Sequence, residues 1–290
     1  WEKLSYDSRD WEYIRDGLVK IYAILKTEGD FSFISHLDVA RVDYCTFGNS
    51  HPFRIRIVNK FNDNYDHYYI KAADASRIYG LELEDLLSPN RITFLYHKNT
   101  LVEEHIAGIP GDVFLEDYLS LPETNKIRIA KEFVKFNERC FMRLLGDMRS
   151  YNFVFDISQD FDDIQFRMRA IDFDQQSYEG KKNIYLPQFF KENQVFVKGV
   201  MEHLHPDVIK QYQMEERSLF TRRVRSEYNR LSDLQRALYA EELSLPEKID
   251  SLKQELYQFH HQKKFLLCTT MPQIVHLHIK AFIKTDLNKA

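Results

Sequence analysis

The chain is poor in the features that make a fold obvious from composition. It has three cysteines, Cys45, Cys140 and Cys268, odd in number and far apart, which suits reduced core thiols better than a disulfide framework. No run of eighteen apolar residues occurs and no charged-then-apolar segment opens the chain, so neither a membrane span nor a secretory signal is expected and the protein should be cytoplasmic. The sequence begins at Trp1 rather than Met, which is consistent with a native segment upstream. There is no internal repeat and no low-complexity tract. Nor is there a basic excess: with net charge -4 and pI about 6.3, a nucleic-acid partner is not expected. What remains is 290 residues, 44% apolar and 29% charged, enough for one large globular domain or two smaller ones.

Patterning divides the chain. In DWEYIRDGLVKIYAIL, residues Trp11, Ile14, Leu18, Ile21, Tyr22 and Leu25 recur at helical spacing behind an N-cap predicted at Asp10. From about 38 to 106 β-branched and aromatic residues alternate between polar turn clusters: ARVDYCTF, FRIRIVNKF and YYIKAAD form a predicted meander, SRIYGLELEDLL a short helix, and RITFLYH and TLVEEHI two more strands. After Gly108-Ile109-Pro110-Gly111 the helical period dominates, as in NKIRIAKEFVKFNERCFMRLL. NFVFDI and QFRMRAIDF read as one hairpin with an acidic turn, SQDFDD, taken as solvated. The expected organisation is α+β and two-lobed: a helical extension over 1–36, a five-stranded antiparallel lobe with one helix over 37–107, a hinge near 105–111, and a mainly helical lobe over 108–290.

One stretch carries chemistry. LLGDMRSYNFVFD sets Asp147 and Asn152 five apart, with Arg149 between, where a helix-like run meets a strand-like one. With Lys71 in YYIKAAD and Asp172 in IDFD, these residues resemble the protein-kinase-like superfamily, in style the small bacterial aminoglycoside and choline phosphotransferases, over about residues 40–180. The resemblance implies a two-lobed kinase-like fold using ATP and Mg²⁺. It implies Lys71 on the nucleotide phosphates with Glu82 as its helix partner (Glu84 next in line), Gly48 in the loop over the phosphates, and backbone groups of Glu104 and Ile106 at the adenine edge. Asp147 would then be the base, Arg149 would stand in the position of a phosphate-facing lysine, and Asn152 and Asp172 would hold the metal. The acceptor would be a hydroxyl of a small molecule or a cell-envelope sugar. Leu145 stands where such proteins carry a loop histidine, and Asp174 where the metal element ends in Gly. A kinase-shaped binding or scaffold protein, or an AMP transferase, is the alternative.

Other clusters carry less. HLH at 203–205, HH at 260–261 and HLH at 276–278 lack the Cys or carboxylate spacing of a tetrahedral zinc set. RSLFTRRVRSEYNR reads as a solvated basic helix face.

Overall fold

The computed structural model describes residues 1–46, 50–160 and 163–287. Two compact units emerge, 1–74 with 91–106, and 75–90 with 107–290.

The first unit contains strand β1 (Glu2–Lys3), helix α1 (Ser8–Thr27) and strands β2 (Leu37–Tyr44), β3 (Phe53–Asn59), β4 (Tyr65–Ala72), β5 (Phe94–His97) and β6 (Thr100–Glu104). All pair antiparallel in the order β1-β2-β3-β4-β6-β5. The sheet thus has six strands rather than the expected five, because Glu2 and Lys3 pair with Tyr44 and Asp43, and two residues are too few to show a period. Strand alternation sends Val42, Ile55, Ile57, Tyr68 and Val102 to one face, where Leu18, Val19 and Leu25 of α1 cover them. The opening helix is therefore part of this unit and not a separate extension. Its N-cap is Asp7, which accepts from Arg9 N at 3.1 Å, and not Asp10, which lies in the first turn. Tyr6 stacks on Trp11 at 5.3 Å, a hydrophobic staple that fixes the start one turn earlier than periodicity alone suggests.

The second unit begins with α2 (Ala75–Leu87) and continues with the short β7 (Ile109–Pro110), α3 (Gly111–Val113) running into a π-helical turn at Phe114–Tyr118, then α4 (Lys126–Arg143). After the hairpin of β8 (Phe153–Asp160) and β9 (Asp163–Ala170) come α5 (Gln194–His203), α6 (Pro206–Ser226), α7 (Tyr228–Leu238), α8 (Pro246–His260) and α9 (Met271–Leu287). Strands β7, β8 and β9 form a small antiparallel sheet. Residues 161 and 162 of the acidic turn lie outside the described residues.

The helix expected inside the strand-rich lobe belongs to this second unit. Tyr79, Leu83, Leu86 and Leu87 enter one core with Phe141, Phe220, Leu256 and Ile274, and buried Glu84 forms an ion pair with Arg143 of α4. The apolar stripe of α2 was legible; which surface it would cover was not. Among the described residues no helix is long and apolar enough to cross a membrane.

Candidate functional site

In the second unit the loop after α4 is held by backbone. Leu144 takes the left-handed conformation (φ 54°) that stops the helix, and Leu145 N donates to Cys140 O at 3.0 Å. Gly146 N then donates to Gln175 O and Asp147 N to Ile184 O, both at 3.1 Å. A Cβ on Gly146 would stand 3.0 Å from Gln175 O and 3.2 Å from Ile184, so only glycine lets the strands close without adjustment here. Leu145 is 1% exposed, and the loop is braced by these backbone bonds and by its packing.

Asp147 has φ +55°, a conformation Asp tolerates better than most residues. Its carbonyl accepts from Arg149 N and from the Asn152 side-chain amide, both at 2.8 Å. Its carboxylate receives Arg149 Nε on Oδ1 at 2.8 Å, while Asn152 Nδ2 stands 3.5 Å from Oδ2. The Asn152 amide nitrogen is thus committed to Asp147. Arg149 also donates to Glu192 at 2.9 Å and lies over the Phe190 ring at 5.2 Å; the Asp147 carboxylate, then charge around it, pushes the guanidinium pKa up.

Asp172 reaches this corner through the backbone. Ile171 N donates to Asn152 O at 3.0 Å, so the residue after Ile171 emerges beside the loop. Asp172 Oδ1 accepts from Asp174 N at 3.2 Å, and Asp174 forms an ion pair with Arg77 of α2. Phe173 between them is 1% exposed, and a Cβ on Gly80 of α2 would sit 2.8 Å from its Cβ; that glycine admits the close approach. The second unit therefore brings Asp147, Arg149 and Asn152 together, with Asp172 entering beside them.

The first unit holds the remaining candidates. The sheet face opposite α1 presents, in register, Arg41, Asp43, Arg54, Arg56, His67, Tyr69, Lys71 and Glu103. Lys71 forms an ion pair with Glu103 of β6 at 2.7 Å, their side chains 11% and 7% exposed. Arg41 and Arg54 share Asp43, Arg54 also lies over the Trp1 ring at 4.8 Å, and Arg56 covers the Tyr65 ring at 3.8 Å. Glu104 N donates to Thr93 O at 3.0 Å and its carboxylate meets Lys26 at 3.0 Å; Ile106, buried, closes the unit. Gly48 lies outside the described residues. Glu82 sits on α2 in the second unit, where burial raises its carboxyl pKa against the opposing pull of Arg230, and Glu84 is taken by Arg143 and Asn90.

Glu103, Glu192 and Asn193 were not singled out from sequence. Glu103 shares the face of Lys71 through the register of β4 against β6, which alternation within TLVEEHI does not give. Asn193 is fully buried and its amide clamps Met148 O and Pro187 O, each at 2.8 Å, a role no local pattern announces.

The molecule is thus a mixed α/β protein of two units, with a polar, cation-rich sheet face in one and an Asp-Arg-Asn loop beside a second carboxylate in the other. No family model matches the chain and no curated protein matches it. Among solved structures it is similar to titin kinase and its flanking domains, at 12% identity and TM-score 0.28, over 82% of this chain and 53% of that one. It is also similar to the Neurospora crassa PAN3 pseudokinase, at 9% identity and TM-score 0.22, over 96% of this chain and 71% of that one. The chain thus spans about half the length of the titin kinase chain. Both scores are low, so the site residues themselves carry the functional argument.

Proposed function

We propose that the protein is a kinase-like, ATP-dependent phosphotransferase acting on a hydroxyl of a small molecule or sugar. The observation that carries this reading is the corner in which the Asn152 amide locks Asp147 while the Asn152 carbonyl binds Ile171, next to Asp172. Phosphoryl transfer needs an oriented nucleophile and neutralised charge more than covalent chemistry. With Oδ1 of Asp147 held by Arg149, Oδ2 is the atom to orient an acceptor hydroxyl and take its proton late in the reaction, a contribution of about 10²–10⁴-fold.

The donor set fits Mg²⁺, which prefers oxygen and keeps several waters: Asp172 would offer a carboxylate oxygen and Asn152 its amide oxygen. When bound, Mg²⁺ would neutralise charge on the phosphates. In the first unit Lys71, paired with Glu103, is the candidate cation for nucleotide phosphates, on a sheet face where Arg41, Arg54, Arg56 and Lys71 outnumber Asp43 and Glu103.

One observation favours a second reading, a nucleotide-binding scaffold without turnover. The ion pair of Arg149 with Asp147 occupies Oδ1 of the carboxylate that an acceptor hydroxyl would have to reach.

The test is a thermal-shift titration with ATP, with and without Mg²⁺, on the wild type and Asp172→Ala. A ligand that binds only the folded state stabilises it by about 2.7 kcal/mol at a hundredfold excess over Kd. The expected result is a Mg²⁺-dependent shift lost in the variant, followed by phosphate transfer in an acceptor screen. Nucleotide binding without Mg²⁺ dependence or turnover selects the scaffold, and no shift with any nucleotide defeats both.

A further inference from the structure

A cavity of about 330 Å³ lies within the second unit, away from the Asp147 loop and unused by the chemistry above. Its floor is apolar: Ile129 and Ala130 of α4 and Phe196 of α5 are each 2% exposed, and Leu115, Leu119 and Val195 form the sides. Lys126, Lys198, Ser120, His203 and Glu202 stand at its rim. Its volume falls within the range of small-ligand sites, which combine apolar walls with a few polar groups.

Two features of the walls are costly for the fold alone. Gly199 lies inside α5, where glycine is about 0.5–1 kcal/mol worse than alanine. Yet a Cβ there would meet nothing within 4 Å, so no neighbour demands glycine, and its effect is to keep the cavity open. On the opposite side Leu115 is carried by the π-helical turn Phe114–Tyr118, a rare kind of turn often found at functional sites. That turn is pinned from behind by the stacking of Phe114 on Phe155 at 3.9 Å.

The rim gives the ligand its charge. Among the described residues neither Lys126 nor Lys198 is in an ion pair, and they stand against Glu202 alone, leaving the mouth cationic. We infer that this cavity binds a small amphipathic acid, its apolar body against Ile129, Phe196 and Gly199 and its anionic head at Lys126 and Lys198. The site is independent of the phosphotransferase reading and stands if that reading fails.

Calorimetric titration of the full chain with decanoate, decanol and decyltrimethylammonium tests it. Decanoate should bind, about tenfold more tightly than decanol, and the cationic probe most weakly. Gly199→Leu fills the cavity, so decanoate affinity should fall by at least about tenfold while the melting temperature holds or rises, as helix propensity requires. Lys126→Gln with Lys198→Gln should lower decanoate to the level of decanol. Undiminished decanoate binding in folded Gly199→Leu, no binding by the wild type, or equal binding of the cationic probe overturns the proposal. Should Gly199→Leu not fold, the double lysine variant, altered only at the exposed rim, decides: a retained preference for decanoate over decanol overturns it.

Discussion

The two units use the same charged residues in opposite ways. On the sheet face opposite α1 in the first unit, cations outnumber carboxylates and part of the charge is solvated; the Arg41 and Arg54 side chains retain 43% and 31% of their surface. Around α4 in the second unit, Arg139, Arg143, Glu84, Glu132 and Glu216 pair with one another at side-chain exposures of 2% to 14%. Arg143 Nε further donates to Arg139 O at 3.0 Å, and burial pulls its pKa down to about 9. An unbalanced, solvated set projects a field that an anionic ligand can feel. A desolvated set whose members pair with one another projects little outside the protein and specifies how helices dock. Composition is silent on this difference; burial decides it.

Cutting one partner from the buried set should have the largest effect. Arg143→Met strands the Glu84 carboxylate, and urea unfolding should reveal a loss of about 3–5 kcal/mol, with much of it recovered when Glu84→Met is added. A single variant no worse than an exposed pair would erase the contrast.

Acid should come next. His260 Nε2 and His278 Nδ1 are 2.9 Å apart, and His278 Nε2 donates to Phe141 O at 2.8 Å; burial pulls the two pKa values down to about 4 and about 3. The unfolded chain binds protons there at higher pH than the folded one. Stability from these rings is complete above about pH 6.5 and is lost as pH falls through about 4 and then 3. Unfolding free energies measured across that window should flatten in the His260→Phe/His278→Phe protein.

At the Asp147 loop, function and stability should separate. Asp147→Asn is expected to lower phosphate transfer by about 10²-fold or more. Its stability should stay within about 0.5 kcal/mol of wild type, because the Asp147 side chain is one-third exposed and the loop hangs on backbone bonds. Unchanged transfer would remove Asp147 from the chemistry. The smallest effect belongs to the exposed pair Asp16–Lys20 on α1, 2.6 Å apart with both side chains more than half exposed. Asp16→Asn should change stability by about 0.3–0.5 kcal/mol, and less as salt is added.

Much of the architecture is written in local patterns. Alternation in FRIRIVN and YDHYYIKA marks strands with one wet face, and the period of KIRIAKEFVKFNERCFMR marks a helix that is buried along a broad stripe. Asp147 and Asn152 could be named because only five positions separate them, and Asp172 because IDFD resembles the metal element of the kinase-like superfamily. Pairing was harder. Lys71 meets Glu103, which is near only once the register of β4 against β6 is known. Glu84 and Arg143 are 59 residues apart, and nothing in either neighbourhood points to the other. The pairs HH and HLH, dismissed as metal motifs, supply instead a buried relay to a main-chain carbonyl through His260 and His278. Such contacts are decided by tertiary packing, which local periodicity does not encode.

The assignment of α2 to the second unit has a topological consequence. The chain passes between the units at 74/75, at 90/91 and again at 106/107, three times where a simple tandem would need one passage. A fragment ending at residue 106 would carry α2 with Leu83, Leu86 and Leu87 stripped of their core. A fragment beginning at 107 would lack the carboxylate that neutralises Arg143. Neither piece is expected to be expressible alone, and the two units should be inherited, folded and degraded as one.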